Sequence, residues 1–223
     1  MRMRRKKNRD ARFERNIDIA VTDPFSLKGK WHTFFGNSNP IHLEIGCGKG
    51  KFIMETAQKN PEINYVAVEV CLDVIIIAME KVKAAGVTNV RFINFDAKDI
   101  CEVFEENEID RIYLNFSDPW KKAKQAKRRL TYRTFLEKYA VVLKESGSVH
   151  FKTDNRPLFD FSLEEFESVE AEISELSFDL HNSEYEKDNV HTEYEDNFSA
   201  KGFPINRCVV KLKKKENTEE KEG

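Results

Sequence analysis

Glu44-Ile-Gly-Cys-Gly-Lys-Gly50 places an acid two residues ahead of three alternating glycines. A β-like run, 41–45, leads into it, and Phe52, Ile53 and Ala57 follow at helical spacing. Glycines at such a turn let the backbone approach a ligand closely. Two phosphate-binding patterns fail on spacing. The dinucleotide pattern G-x-G-x-x-G needs glycine at 51 or 53, where Lys51 and Ile53 stand. The P-loop needs glycine at 45 and Ser or Thr at 52, where Ile45 and Phe52 stand. An acid beside the loop repels a pyrophosphate and favours a cation. Glu69, Asp96 and Asp118 close three further β-like runs, so parallel strands would gather four acids in one crevice. Glu69 is placed to accept from ribose hydroxyls and Asp96 from an adenine amine. S-adenosylmethionine, an ammonium and a sulfonium joined to adenosine, fits that set.

The elements that must position these residues alternate. Strands are predicted at 41–45, 65–70, 90–96, 111–116 and 148–152, with two more β-like runs at 176–181 and 208–212. Helical spacing falls between them: from Phe52 to Asn60-Pro61, over 73–85 with Gly86 as left-handed cap, briefly near 100–104, and over 132–143. The pattern predicts an α/β fold, a doubly wound, mostly parallel seven-stranded sheet with helices on both faces. One domain is expected over 21–212, with a basic, flexible arm at 1–20 and a charged tail at 213–223.

Composition narrows the class. The chain has 223 residues and 34% charged residues, room for one α/β domain. Its longest apolar run, 74–79, is too short to span a bilayer, and no secretory pattern follows the basic N-terminus. A cytoplasmic protein without a membrane partner is expected. Four scattered cysteines, Cys47, Cys71, Cys101 and Cys208, show no C-x-x-C pair, and the five histidines show no ligand spacing, so no metal is expected. The net charge of −2 hides segregation. Residues 1–15 hold eight basic side chains against two acids, and 121–133 hold seven against none. Residues 160–196 hold fourteen acids against Lys187 alone. Two basic patches on a near-neutral chain suit a polyanion held in one orientation.

The ordered motifs resemble the bacterial tRNA (guanine-N7)-methyltransferases, a family of class I S-adenosylmethionine-dependent methyltransferases with a Rossmann-like fold. The resemblance runs from the glycine loop to Arg207. It rests on Asn115-Phe-Ser-Asp-Pro-Trp120, Lys127-Arg-Arg-Leu-Thr-Tyr132, Phe151-Lys-Thr-Asp-Asn-Arg156 and Thr192-Glu-Tyr-Glu195, then Phe198 and Gly202-Phe-Pro-Ile205. It departs after Trp120, where Lys121-Lys-Ala-Lys-Gln125 replaces the family's Pro-Lys-Lys-Arg-His. The resemblance implies transfer of a methyl group to N7 of a guanosine in the tRNA variable loop. Glu44, Gly46, Gly48, Gly50, Glu69, Asp96 and Asp118 would then hold the cofactor. Lys122, Asp154, Thr192, Glu193, Tyr194 and Glu195 would contact the substrate, and Lys124, Lys127, Arg128 and Arg129 the RNA backbone. A monomer or homodimer with no DNA partner is expected.

N7 of guanine has a free in-plane lone pair, so the reaction needs alignment rather than a strong base. Asp118 or Asp154 is the candidate catalytic carboxylate, accepting from guanine N1–H and the amino group. Trp120 or Tyr194 is a candidate for stacking on the base. Methylation of an exocyclic amine is disfavoured by the single proline of Ser117-Asp-Pro-Trp120. A non-catalytic RNA-binding protein is disfavoured by the intact acids, and a dehydrogenase by the loop spacing.

Overall fold

Ile41–Ile45 (β1) is buried along its whole length, as a strand covered on both faces must be. Ile41, Leu43 and Ile45 point to one side, and His42 and Glu44 to the other. The computed structural model describes residues 8–199 and 202–214. Six more strands complete the sheet: Asn64–Val68 (β2), Val90–Ile93 (β3), Ile109–Asn115 (β4), Leu143–Thr153 (β5), Glu172–Ser177 (β6) and Asn206–Lys211 (β7). Their order is β3-β2-β1-β4-β5-β7-β6, parallel from β3 to β5, with β7 antiparallel to both its neighbours.

Seven α-helices are described: Arg9–Glu14 (α1), Trp31–Phe35 (α2), Lys51–Lys59 (α3), Leu72–Ala84 (α4), Arg133–Val142 (α5), Arg156–Ser168 (α6) and Glu193–Ser199 (α7). Two hydrophobic clusters show the double winding. Phe52 and Ile53 of α3 and Ile75 and Met79 of α4 pack with Tyr65, Phe92 and Tyr113 on one face. Leu136 and Tyr139 of α5 and Phe159 and Phe166 of α6 pack with Leu43, Ile45, Phe151 and Trp31 on the other. No helix among the described residues is long and apolar enough to cross a membrane.

Three expectations change. The sixth strand is Glu172–Ser177, not 176–181, because its register is set by antiparallel pairing of Glu172 with Lys211 and Ile173 with Val210 at an exposed edge. Residues 180–182 form a 3₁₀ turn instead. Helix α6 was hidden under the acid count, although Asn155 caps it by accepting from the Leu158 N–H at 2.9 Å and Pro157 sits in its first turn. The N-terminal segment is docked from Asn8 onward: Arg12 forms a bidentate pair with Glu80 of α4 at 2.7 and 2.5 Å, Ile19 is buried, and Ala20 bridges to Phe92. The arm before Asn8 and the tail after Lys214 lie outside the described residues.

Gly50 starts α3 with φ of 80°, and a Cβ there would sit 2.6 Å from the Cβ of Ala78 on α4. The glycine therefore permits both the turn and the close approach of α3 to α4. Gly50→Ala is expected to lower unfolding free energy by about 1–3 kcal/mol, measured as a lower urea midpoint at unchanged m-value.

Candidate active site

The direction of winding reverses between β1 and β4, where a doubly wound sheet opens a crevice beyond its strand ends. A cavity of about 640 Å³ lies there. Gly46 of the glycine loop, Glu69 after β2, Asp96 after β3, and Asn115 and Asp118 at and after the end of β4 line it. Glu69 closes the loop, accepting from the Gly48 N–H at 3.2 Å and the Cys71 N–H at 3.0 Å. A carboxylate has about four acceptor sites, so Glu69 keeps capacity for a ligand. Asp96 accepts from the Lys98 N–H at 3.1 Å. Lys98, Lys127, Arg128 and Lys138 also line the cavity, so its lining is mixed rather than uniformly acidic.

Glu44 lies apart from the other three acids. It is 2% exposed, beneath the crevice rather than on its wall. Its Oε1 accepts from Asn115 Nδ2 at 2.9 Å, and Oε2 is buried without a protein partner. Burial pushes its carboxyl up to about 8, against the opposing pull of Asn115 and Lys152. Asn115, missed as a site residue, is the polar group presented to the cavity in its place. The alternation of Ile41-His-Leu-Glu-Ile45 gives no sign of this; the fold buries both faces of β1, Glu44 and His42 included.

The loop from Asn115 to Trp120 is strained, with φ of 51° at Phe116 and 40° at Trp120. Such strain persists only where surrounding contacts hold it. The Phe116 N–H donates to the Lys152 carbonyl at 2.9 Å. Arg129 donates to the carbonyls of Pro119 at 3.0 Å and Trp120 at 3.2 Å. The Arg128 guanidinium covers one face of Trp120, 3.6 Å from the ring centroid. Lys121, Lys122, Lys124, Lys127 and Arg128 are exposed, whereas Arg129 is half-buried and turned inward. The position of Arg129 does not match the phosphate contact that the resemblance implies.

Lys152 is buried on the Glu44 face of the sheet, paired across the register with Asn115. Its ammonium donates to Glu195 Oε2 at 2.5 Å, the Val190 carbonyl at 2.7 Å and Asn189 Oδ1 at 2.9 Å. It thereby fastens the segment leading into α7. Thr192 and Glu195 form a reciprocal capping box: Thr192 Oγ1 accepts from the Glu195 N–H at 2.9 Å, and Glu195 Oε2 from the Thr192 N–H at 3.2 Å. Glu195 Oε1 faces His181 at 2.9 Å and accepts from Asn189 at 2.8 Å. Burial raises the Glu195 carboxyl's proton affinity, but Lys152, Asn189 and His181 outweigh this and hold it below the usual range. Fully buried, Glu195 has no free edge for guanine, which corrects its expected substrate contact.

Glu193 pairs with Lys81 of α4, and Asp196 with Lys51 of α3, seating α7 over that face. Tyr194 is 43% exposed and donates to Asp154 Oδ2 at 3.3 Å. Its ring lies against Phe198 at 4.1 Å and Phe116 at 5.1 Å, so neighbouring rings already flank it. Ligand atoms of His181, His191 and Glu195 converge within 4.8 Å, which chain spacing did not reveal. The Lys152 ammonium already occupies the other side of Glu195, and His191 faces Glu186 at 2.7 Å and Asp196 at 2.9 Å. Partial burial lowers the proton affinity of His191, yet those hydrogen bonds outweigh it and raise its pKa overall. The cluster is a hydrogen-bond network among His181, His191, Glu186, Glu195 and Asp196.

Residues 38–208 match the family model described as "Putative methyltransferase". A tRNA (guanine-N(7)-)-methyltransferase from Bacillus velezensis is 51% identical over 97% of this chain and 99% of its own length. The enzyme of that name from Bacillus subtilis is 51% identical over 94% and 98%. The chain belongs to the tRNA (guanine-N7)-methyltransferase family. Solved methyltransferases share its fold at low identity. The 16S rRNA methyltransferase KamB superposes with a TM-score of 0.61 at 12% identity, covering 82% of this chain and 93% of that one. An antibiotic-related methyltransferase gives 0.58 at 17%, covering 82% and 91%.

Two outcomes follow for this member of the family. Glu44 binds more protons folded than unfolded between its ordinary value of 4.5 and about 8, so it opposes folding increasingly as pH rises through that window. Glu44→Gln is expected to match the parent near pH 4.5 and to melt higher at pH 8, by about 3 °C or more, in calorimetric scans. Lys152→Met leaves Glu195 buried without its cation and is expected to cost about 3–5 kcal/mol. Adding Glu195→Leu should return much of it, as a denaturation double-mutant cycle will show.

Proposed function

We propose that the protein transfers the methyl group of S-adenosylmethionine to N7 of a guanosine in the variable loop of tRNA. One observation carries this reading: a single cavity is lined both by the acids Glu69, Asp96 and Asp118 and by Lys127 and Arg128 of the basic run. A donor site and a polyanion-binding ridge therefore share a wall.

The residues fit the donor. Gly46 has φ of 80°, and a Cβ there would meet no protein atom within 4 Å, so the glycine leaves the cavity floor clear for a ligand. Glu69 keeps free acceptors for ribose hydroxyls, and Asp96 for an adenine amine. Asp118 and Asn115, which line the same cavity, would hold the sulfonium end. When bound, the donor supplies a methyl group already activated by positive sulfur.

The remaining work falls to the acceptor side. N7 attacks without losing a proton, so no group of unusual basicity is needed. Asp154, at the end of β5 beside the Asp118 loop, would accept from the guanine N1–H and amino group. That contact orients the ring and stabilises the positive charge it gains. The tyrosine hydroxyl of Tyr194 orients Asp154. The base must leave its stack to reach the crevice. Lys121, Lys122, Lys124 and Lys127 would neutralise phosphates, supplying affinity and orientation but little sequence discrimination. Several acids of 160–196 are paired within the fold, as Glu165 is with Arg133 and Glu175 with Arg207, which reduces the repulsion this stretch offers to RNA.

Purified protein incubated with methyl-labelled donor and unmodified tRNA is expected to yield 7-methylguanosine on nucleoside analysis. A guanosine-to-adenosine change in the variable loop should remove the label. Asp154→Ala should lose about 10²–10³-fold in kcat while binding the donor normally by calorimetry. Label in any other nucleoside would overturn the reading.

A further inference from the structure

We propose that Arg129 is a positioning residue: its guanidinium clamps the strained backbone that carries Asp118, and it is not one of the phosphate contacts of the basic run. The proposal rests on the function above in taking Asp118 as part of the reacting site.

The geometry separates Arg129 from its neighbours. Its Nε donates to the Pro119 carbonyl at 3.0 Å and its Nη2 to the Trp120 carbonyl at 3.2 Å. These are the first and second residues after Asp118. The guanidinium lies over the Phe161 ring of α6, 4.1 Å from its centroid, so one face is covered by the fold. The backbone is tied as well, the Arg129 N–H donating to the Ala126 carbonyl at 2.9 Å. A phosphate could recruit Arg129 only by pulling it from both carbonyls and from the ring. Lys121, Lys122, Lys124 and Lys127 face solvent and would meet a phosphate without that loss, whereas Arg128, though exposed, stacks on Trp120.

The loop needs such a clamp. Phe116 and Trp120 both adopt left-handed backbone angles, at φ of 51° and 40°, which side-chain-bearing residues rarely hold unaided. The Phe116 end is held by the Lys152 carbonyl. Arg129 is the corresponding hold at the Trp120 end. Two carbonyls with a flat ring behind them suit a planar fork, which an ammonium does not reproduce.

Phosphate contact and loop clamp predict different kinetics. Arg129→Ala and Lys127→Ala are compared with the parent for kcat, for tRNA Kd, and for the slope of log Kd against log salt. Arg129→Ala is expected to lower kcat by at least about tenfold, with Kd within about twofold and the salt slope unchanged. Lys127→Ala should weaken binding and reduce the slope by about one. Millimolar guanidinium should restore part of the kcat lost in Arg129→Ala, and Arg129→Lys should rescue poorly. A slope reduced by about one in Arg129→Ala with kcat retained would overturn the proposal. Tryptophan fluorescence reads the loop independently of turnover, because Trp31 is fully buried elsewhere and Trp120 is not. A changed Trp120 signal in Arg129→Ala supports the clamp even if the parent methylates no tRNA, which would sink the proposed function alone. An unchanged signal with parental kcat would overturn the clamp.

Discussion

A row of polar side chains crosses the carboxyl ends of three neighbouring strands, and the site is built around it. Glu44 of β1 receives Asn115 of β4, and Lys152 of β5 reaches Glu195 under α7. Polar groups in so dry a place are costly unless paired, so each fixes the position of the next. The first pair sets the floor of the crevice where the winding reverses. The second ties the sheet to the helix that carries Tyr194 over Asp154. Donor and acceptor sides are thus referenced to the same rigid strands.

That arrangement explains where flexibility and charge are allowed. The loop bearing Asp118 departs from relaxed backbone geometry and is held at both ends, by the Lys152 carbonyl and by Arg129. Basic side chains beyond it stay exposed, whereas Lys51 and Lys81 are consumed in seating α7. A chain with a net charge of −2 can therefore present a cationic ridge on one side of the crevice. Buried acids such as Glu195 and Glu165 contribute to the count without contributing to the surface potential.

Much of this was legible in the residues. β1 falls at 41–45 as its pattern indicates, and the spacing of Gly46, Gly48 and Gly50 by itself excludes the phosphate loops. Acids at strand ends pointed to one crevice, and Glu69, Asp96 and Asp118 meet there. Burial was less legible. Glu44 looked like its partners because a motif records an acid, not which side of a pleat it occupies. Thr192 and Glu195 looked like contacts because a capping box and a binding motif have the same spelling; only Lys152, more than forty positions away, distinguishes them. Arg129 shared a charge run with Arg128, and only the fold lays Arg128 on the Trp120 ring and aims Arg129 at the loop's backbone carbonyls. Helix α6 escaped notice because its charged face outweighed Leu158, Phe159 and Phe166 on the buried one.

The central claim is spatial: a methylsulfonium donor sits between β1 and β4, over the glycine loop and against the strained loop of Asp118. A crystal structure of the protein with S-adenosylhomocysteine tests it most directly. The adenosine should lie between Glu69 and Asp96, with the amino-acid end over Gly46 and toward Asn115. Density for the compound on any other surface, or side chains of Glu69 and Asp118 left untouched by it, would contradict the account.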